Sequence, residues 1–133
     1  MLVHADVFVK TGLMDERYFL YFEDADLSAR VRKACMDLAL LDEVKVHHAV
    51  SASAKKLGSP LLLRYHMRNA HLFALKNGPW PVRLLLPFWS FFIIVKQFLK
   101  LLFMPWKHRY ARALLGGVSD FYLSRFGKLT SQK

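Results

Sequence analysis

Leu84 to Val95 reads LLLPFWSFFIIV, twelve consecutive residues without a charge. As a helix this run covers only ~18 Å, against a hydrocarbon core of ~30 Å. Pro87 sits inside it, and Lys96, Gln97 and Lys100 interrupt any longer apolar span. Trp80, Trp89 and Trp106, with Arg83, Lys107 and Arg109 at the flanks, suit the headgroup layer, where aromatic rings are half wet and Lys stems snorkel. The run therefore reads first as a helix lying in a membrane interface. A buried core helix and a true or re-entrant span are the alternatives.

Charge supports the first choice. The chain of 133 residues carries a net charge of +10 with 54% hydrophobic residues. Nine of its ten acidic residues lie in residues 1–58, and Asp120 is the only one in residues 59–133. The first part is thus a mixed-charge piece and the second is basic, apolar and aromatic. An anionic membrane surface rewards that combination, whereas nucleic acid rewards charge but not exposed Leu and Phe, so a nucleic-acid partner is not expected. Cys35 is the sole cysteine, which excludes an internal disulfide, fits a reducing compartment and reads as a small buried apolar residue at a helix end. The opening MLVHADVFVK lacks the basic start and continuous apolar stretch of a signal peptide.

Loose alternation and Val/Phe content predict a short strand over residues 1–12, ending at Gly12. Residues 13–22 read as a loop whose aromatics pack inward. A helix follows, with Asp24 as its N-cap, Asp26 in the first turn and Arg30, Arg32 and Lys33 late, as the helix dipole prefers. Leu27, Val31 and Ala34 form its buried stripe. Residues 37–53 read as two short strands around a turn at Asp42-Glu43, trailing into a polar loop through Gly58. Ser59-Pro60 opens a second helix, which Asn77-Gly78 closes.

The stretch YFLYFEDAD sets Glu23, Asp24 and Asp26 directly behind a run of aromatics. Like charges this close repel, and an apolar flank makes each ionised carboxylate harder to keep. A carboxylate at a helix start can serve as a general base once a substrate hydroxyl comes within reach. The plainer alternative is that Asp24 caps the helix while Glu23 and Asp26 are solvated. Asp24-Ala25-Asp26 is also a literal D-x-D, but side chains at i and i+2 of a helix diverge and do not aim at one ion.

VFVKTGLMDERYFLYFEDADLSARVRKA, residues 7–34, resembles the segment around the acidic Glu-Asp motif of family 2 glycosyltransferases, above all the rhamnosyltransferase-like members. The matching residues, in order, are Gly12, Asp15-Glu16, Tyr18-Phe19, Glu23-Asp24, Asp26-Leu27 and Arg30. The likeness continues at His48-Ala49-Val50-Ser51, at Tyr65 with Arg68-Asn69, and more weakly in ALLGGVSDFYLSRFGK. Cys35 stands where the pattern usually has Gly, and Asp42-Glu43 where Pro-Glu is common.

The resemblance implies a GT-A-type α/β fold over residues 1–78, as the C-terminal part of a catalytic domain, followed by amphipathic membrane-interfacial helices over residues 79–133. It implies inverting sugar transfer from a nucleotide-diphospho-sugar to a glycan or lipid-linked acceptor, as in polysaccharide biosynthesis. Asp24 would be the base, Glu23, Asp26 and Arg30 would shape the site, His48 would lie by the metal or diphosphate, and Arg68 would reach phosphate. A divalent metal, Mg or Mn, would neutralise the departing diphosphate. The family's nucleotide-binding strands and metal-holding D-x-D precede the acidic motif, so an upstream half, supplied by another segment or chain, is expected to complete the enzyme. The expected place of work is the cytoplasmic face of a membrane, with Trp80, Arg83, Trp89, Lys96, Lys100 and Trp106 at the interface. The rival expectation is a non-catalytic, membrane-associated basic module.

Overall fold

The computed structural model describes residues 2–39, 45 and 59–129. Helix α1 covers Ala5–Thr11, α2 Glu23–Lys33, α3 Ser59–Asn77, α4 Trp80–Phe103 and α5 His108–Tyr122, with a single 3-10 turn at Pro105–Lys107. Among the described residues every regular element is helical, so the α/β, GT-A expectation fails. The strand expected over residues 1–12 is instead α1. His4 caps it by accepting the Asp6 N–H at Nδ1, and Gly12 ends it at φ 77°. Val3 and Val7 stand four apart and pack with Phe8 against Leu27 and Val31 of α2, a helical spacing that the apparent alternation concealed. The two strands expected around Asp42-Glu43 fall outside the described residues, apart from residues 37–39 and 45, which are not strand.

α3 has the expected bounds, and its closest partner is α5. Their axes approach at Gly117, where an added Cβ would stand 2.6 Å from the Arg64 carbonyl oxygen and 2.8 Å from Met67 Cβ. Beside that contact Arg64 grips Asp120 with two hydrogen bonds, Nε to Oδ2 at 2.6 Å and a terminal nitrogen to Oδ1 at 2.8 Å. Asp120 is buried, so this forked pair is the polar bolt of the α3–α5 interface. The chain's only acidic residue beyond position 58 is therefore spent inside the bundle.

α4 is one 24-residue helix, about 36 Å long, that runs through Pro87 rather than breaking there. Proline removes one backbone donor, but the helix has neighbours on one side to hold its course. That side carries Leu86, Ser90 and Gln97, all buried. Ser90 joins three helices: its Oγ stands 3.1 Å from His71 Nε2 of α3, and it accepts the Tyr122 hydroxyl of α5 at 2.8 Å. His71 places Nδ1 2.8 Å from the Met67 carbonyl and stacks on Trp89, and burial lowers its pKa, which keeps the ring neutral. Tyr18, Leu72, Leu86 and Phe121 form the main core, flanked by Phe22, Phe73, Ala74 and Phe126.

Candidate carboxylate site at the start of α2

The loop from Thr11 to Phe22 has almost no secondary structure to satisfy its carbonyls, and buried side chains do that instead. Arg30 donates to the carbonyls of Thr11, Gly12 and Leu13. Arg68, fully buried, donates from its two terminal nitrogens to the carbonyls of Arg17, Tyr18, Arg125 and Gly127, and from Nε to Asn69 Oδ1. All five guanidinium hydrogens are thereby used, which fits a cation that has no carboxylate beside it. Burial lowers the Arg68 pKa from its ordinary value. Asn69 adds bonds from Nδ2 to the carbonyls of Tyr18, Leu20 and Tyr21, at 2.8, 2.7 and 3.0 Å.

These clamps hold the loop in a costly shape. Phe19, Tyr21 and Phe22 have φ of 59°, 68° and 72°, left-handed conformations that bulky residues avoid. Phe22, not Asp24, occupies the position before α2, with no side-chain cap. Glu23, Asp24 and Asp26 all lie in the first turn, beside the positive end of the helix dipole.

The three carboxylates then part company. Asp26 is fully buried and saturated: Oδ1 accepts from Asn77 at 2.7 Å and from the Tyr18 hydroxyl at 3.3 Å, and Oδ2 from Arg30 and Lys76, each at 2.9 Å. Burial pushes its pKa up, but the bonds from Lys76, Asn77 and Arg30 prevail and lower it. Lys76 also meets Asp15, whose carboxyl is held well below the usual range, first by Arg17 and, against the effect of burial, by Lys76. Burial and the Asp26 charge push the Tyr18 hydroxyl up. Asp24 is exposed, and its Oδ1 accepts the Ala25 N–H at 2.7 Å. Glu23 borders an open recess of about 460 Å³ shared with Met14, Asp15, Glu16, Phe19, Gly127 and Lys128, and its Oε2 is buried without a partner among the described residues.

Of the residues singled out from sequence, Asp26 and Arg30 meet directly, Glu23 and Asp24 are their neighbours on α2, and Arg68 fastens the preceding loop from beneath. His48 lies outside the described residues. Asp24 and Asp26 do not fit a shared metal, because both Asp26 oxygens are occupied by donors while Asp24 faces solvent. Among the described residues no three His, Cys, Asp or Glu side chains form a metal-binding group. Asp15, Asn69, Lys76 and Asn77 belong to the same constellation, although Asp15 and Asn69 were noted only as positions of the resembling pattern, Asn77 only as a helix stop, and Lys76 not at all. The proximity of Lys76-Asn77 to a helix end concealed their role as carboxylate donors.

Along α4, Trp80, Arg83, Trp89 and Lys96 are exposed and Lys100 half-buried, and Trp106 is exposed in the 3-10 turn. Arg83 folds back to donate to the Gly78 carbonyl at 2.8 Å, past the end of α3. The chain matches no family model, no curated protein and no solved structure.

Proposed function

We propose that this chain is the membrane-docked, acceptor-side part of a glycosyltransferase. Asp24 removes the proton from an acceptor hydroxyl as that oxygen attacks the anomeric carbon of a nucleotide-diphospho-sugar. The bond from that carbon to the diphosphate oxygen breaks, and the nucleoside diphosphate leaves with the bonding pair. The donor is held by a segment other than the described residues.

The observation that carries this reading is the clamped loop. Three bulky residues in left-handed conformations cost on the order of 1–3 kcal/mol each, and such strain persists where surrounding structure enforces it, commonly at active sites. Here Arg68 and Asn69 enforce it, and the loop delivers an exposed carboxylate at a helix N-terminus. The geometry is independent of the sheet that the sequence led one to expect.

In membranes from cells carrying the gene in its natural setting, Asp24→Asn lowers sugar transfer from the nucleotide-sugar to the endogenous acceptor by about 10²–10⁴-fold, the worth of a positioned base. Unchanged helical circular dichroism of the purified variant checks that the loss is chemical. Undiminished transfer would favour the second reading, a non-catalytic membrane-associated basic module. One observation already points that way: Asp24 faces solvent and its Oδ1 is taken by the N–H of the adjacent Ala25.

A further inference from the structure

At the far end of α4 the chain turns through Pro105–Lys107 into α5, and the corner encloses a second cavity. It has a volume of about 400 Å³ and is lined by Gln97, Lys100, Trp106, Lys107, Tyr110, Ala111 and Leu114. Three features of this corner are incomplete. Gln97 is only 4% exposed, yet its Oε1 has no hydrogen-bond partner among the described residues. A buried amide left so is costly, and turning the carboxamide over offers a donor or an acceptor to the same space. Lys100 and Lys107 have no ion-pair partner among the described residues. The first turn of α5 has no acidic residue and no side-chain cap, so its dipole is uncompensated, although the His108 N–H is already taken by the Pro105 carbonyl of the preceding 3-10 turn.

We infer that this corner is a binding pocket for the phosphate headgroup of a single anionic membrane lipid, one whose headgroup also carries hydroxyls. Lys100, Lys107 and the α5 N-terminus meet the phosphate, the arrangement that helix starts and lysines supply to such anions. Gln97 and the Tyr110 hydroxyl meet the headgroup hydroxyls. The choice of a lipid over a free anion comes from the apolar surface at this corner. Trp106, which lines the pocket, is about 70% exposed, as are Leu102 and Phe103 at the same end of α4, so acyl chains have apolar surface beside the charged end. This inference rests on the membrane-docking part of the proposed function and adds selectivity to it: diffuse attraction needs only net charge, whereas the pocket requires particular side chains.

The full chain is titrated with phosphatidylcholine vesicles that contain or lack 20% phosphatidylglycerol, and partitioning is followed by tryptophan fluorescence. The wild type prefers the phosphatidylglycerol vesicles. Lys107→Ala and Lys100→Ala each reduce that preference about fivefold, the usual worth of one lysine at such a surface. Lys10→Ala, which removes the same charge from exposed α1, leaves it intact. Gln97→Leu also reduces the preference, although it changes no charge and fills the same volume. Equal losses from Lys10→Ala and Lys107→Ala, with Gln97→Leu silent, would overturn the pocket and leave only diffuse electrostatics. Displacement of the chain by millimolar inorganic phosphate would assign the corner to a free anion and overturn the lipid. Failure of the wild type to bind either vesicle would remove membrane docking itself, a result distinct from binding without selectivity. Circular dichroism of each variant confirms that it is folded.

Discussion

Cys35 holds the end of α2 in a left-handed conformation, φ 55°. Around it the backbone closes as a Schellman cap: the Met36 N–H reaches the Val31 carbonyl at 3.1 Å, and the Cys35 N–H reaches Arg32 at 3.0 Å. Met36 completes the cap by packing with Val31. Glycine is the usual occupant of such a position because it has no Cβ to crowd the carbonyl. The expectation of a buried apolar cysteine is corrected, since the side chain is exposed and the constraint is on the backbone. Cys35→Gly should therefore stabilise the chain by about 1 kcal/mol, the left-handed penalty less the extra freedom glycine has when unfolded. A denaturant midpoint lower than wild type would show that the cap tolerates a side chain without strain. The position was partly legible, because glycine is what the resembling pattern carries there. Phe19, Tyr21 and Phe22 were not: nothing in a run of aromatics signals left-handed backbone, which exists only because Arg68 and Asn69, some fifty residues on, accept the cost.

Helices with local signals were readable, and those decided by a distant surface were not. α3 runs Ser59–Asn77, with Pro in its first turn and Gly just past its end, and the stripe of Leu27 and Val31 placed α2. α1 was misread because Val and Phe favour strands on average, while the surface that decides the matter belongs to α2. α4 was read as an apolar run whose extension Pro87, Lys96, Gln97 and Lys100 interrupt, whereas a helix packed along one flank keeps its course through a proline and past those polar residues. The α3–α5 contact had one quiet signal, a lone Asp120 in a segment rich in cations. Its tightest point is Gly117, where there is no room for a side chain. Gly117→Ala should destabilise the bundle by about 1–3 kcal/mol, the usual cost of forcing one methyl into a packed contact. The gain in intrinsic helix propensity, about 1 kcal/mol, works against that loss. An unchanged or raised thermal midpoint would mean that α3 and α5 can move apart at that point with little loss.

On the scale of the whole molecule, the proposed membrane docking raises the question of how a helix with one covered flank would meet a bilayer. α4 is long and apolar enough to cross, with a mean hydropathy of 1.6 over its best window, but α3 and α5 lie against Leu86, Ser90 and Gln97. α5 carries Arg112 and Asp120, the latter paired with Arg64 of α3, and a crossing α4 would draw those groups toward hydrocarbon, where ionised side chains are expensive. An in-plane helix avoids this. Leu84, Leu85, Phe88, Phe91, Phe92, Val95, Phe98 and Leu99 are exposed, and in the proposed docking they would enter the acyl boundary while the bundle would stay in water. The two orientations predict different depths for Trp89, nine positions along from Trp80. A crossing helix would place it about 13 Å deeper, whereas an in-plane helix keeps both rings near the headgroups. In variants retaining one tryptophan each, lipids brominated near the headgroup should quench Trp80, Trp89 and Trp106 more strongly than lipids brominated near the chain end. Stronger quenching of Trp89 by the deep bromines would require a crossing helix and a bundle that opens to release it. In that case the His71–Trp89 stack, with ring centroids 4.6 Å apart, would have to break as the chain inserts.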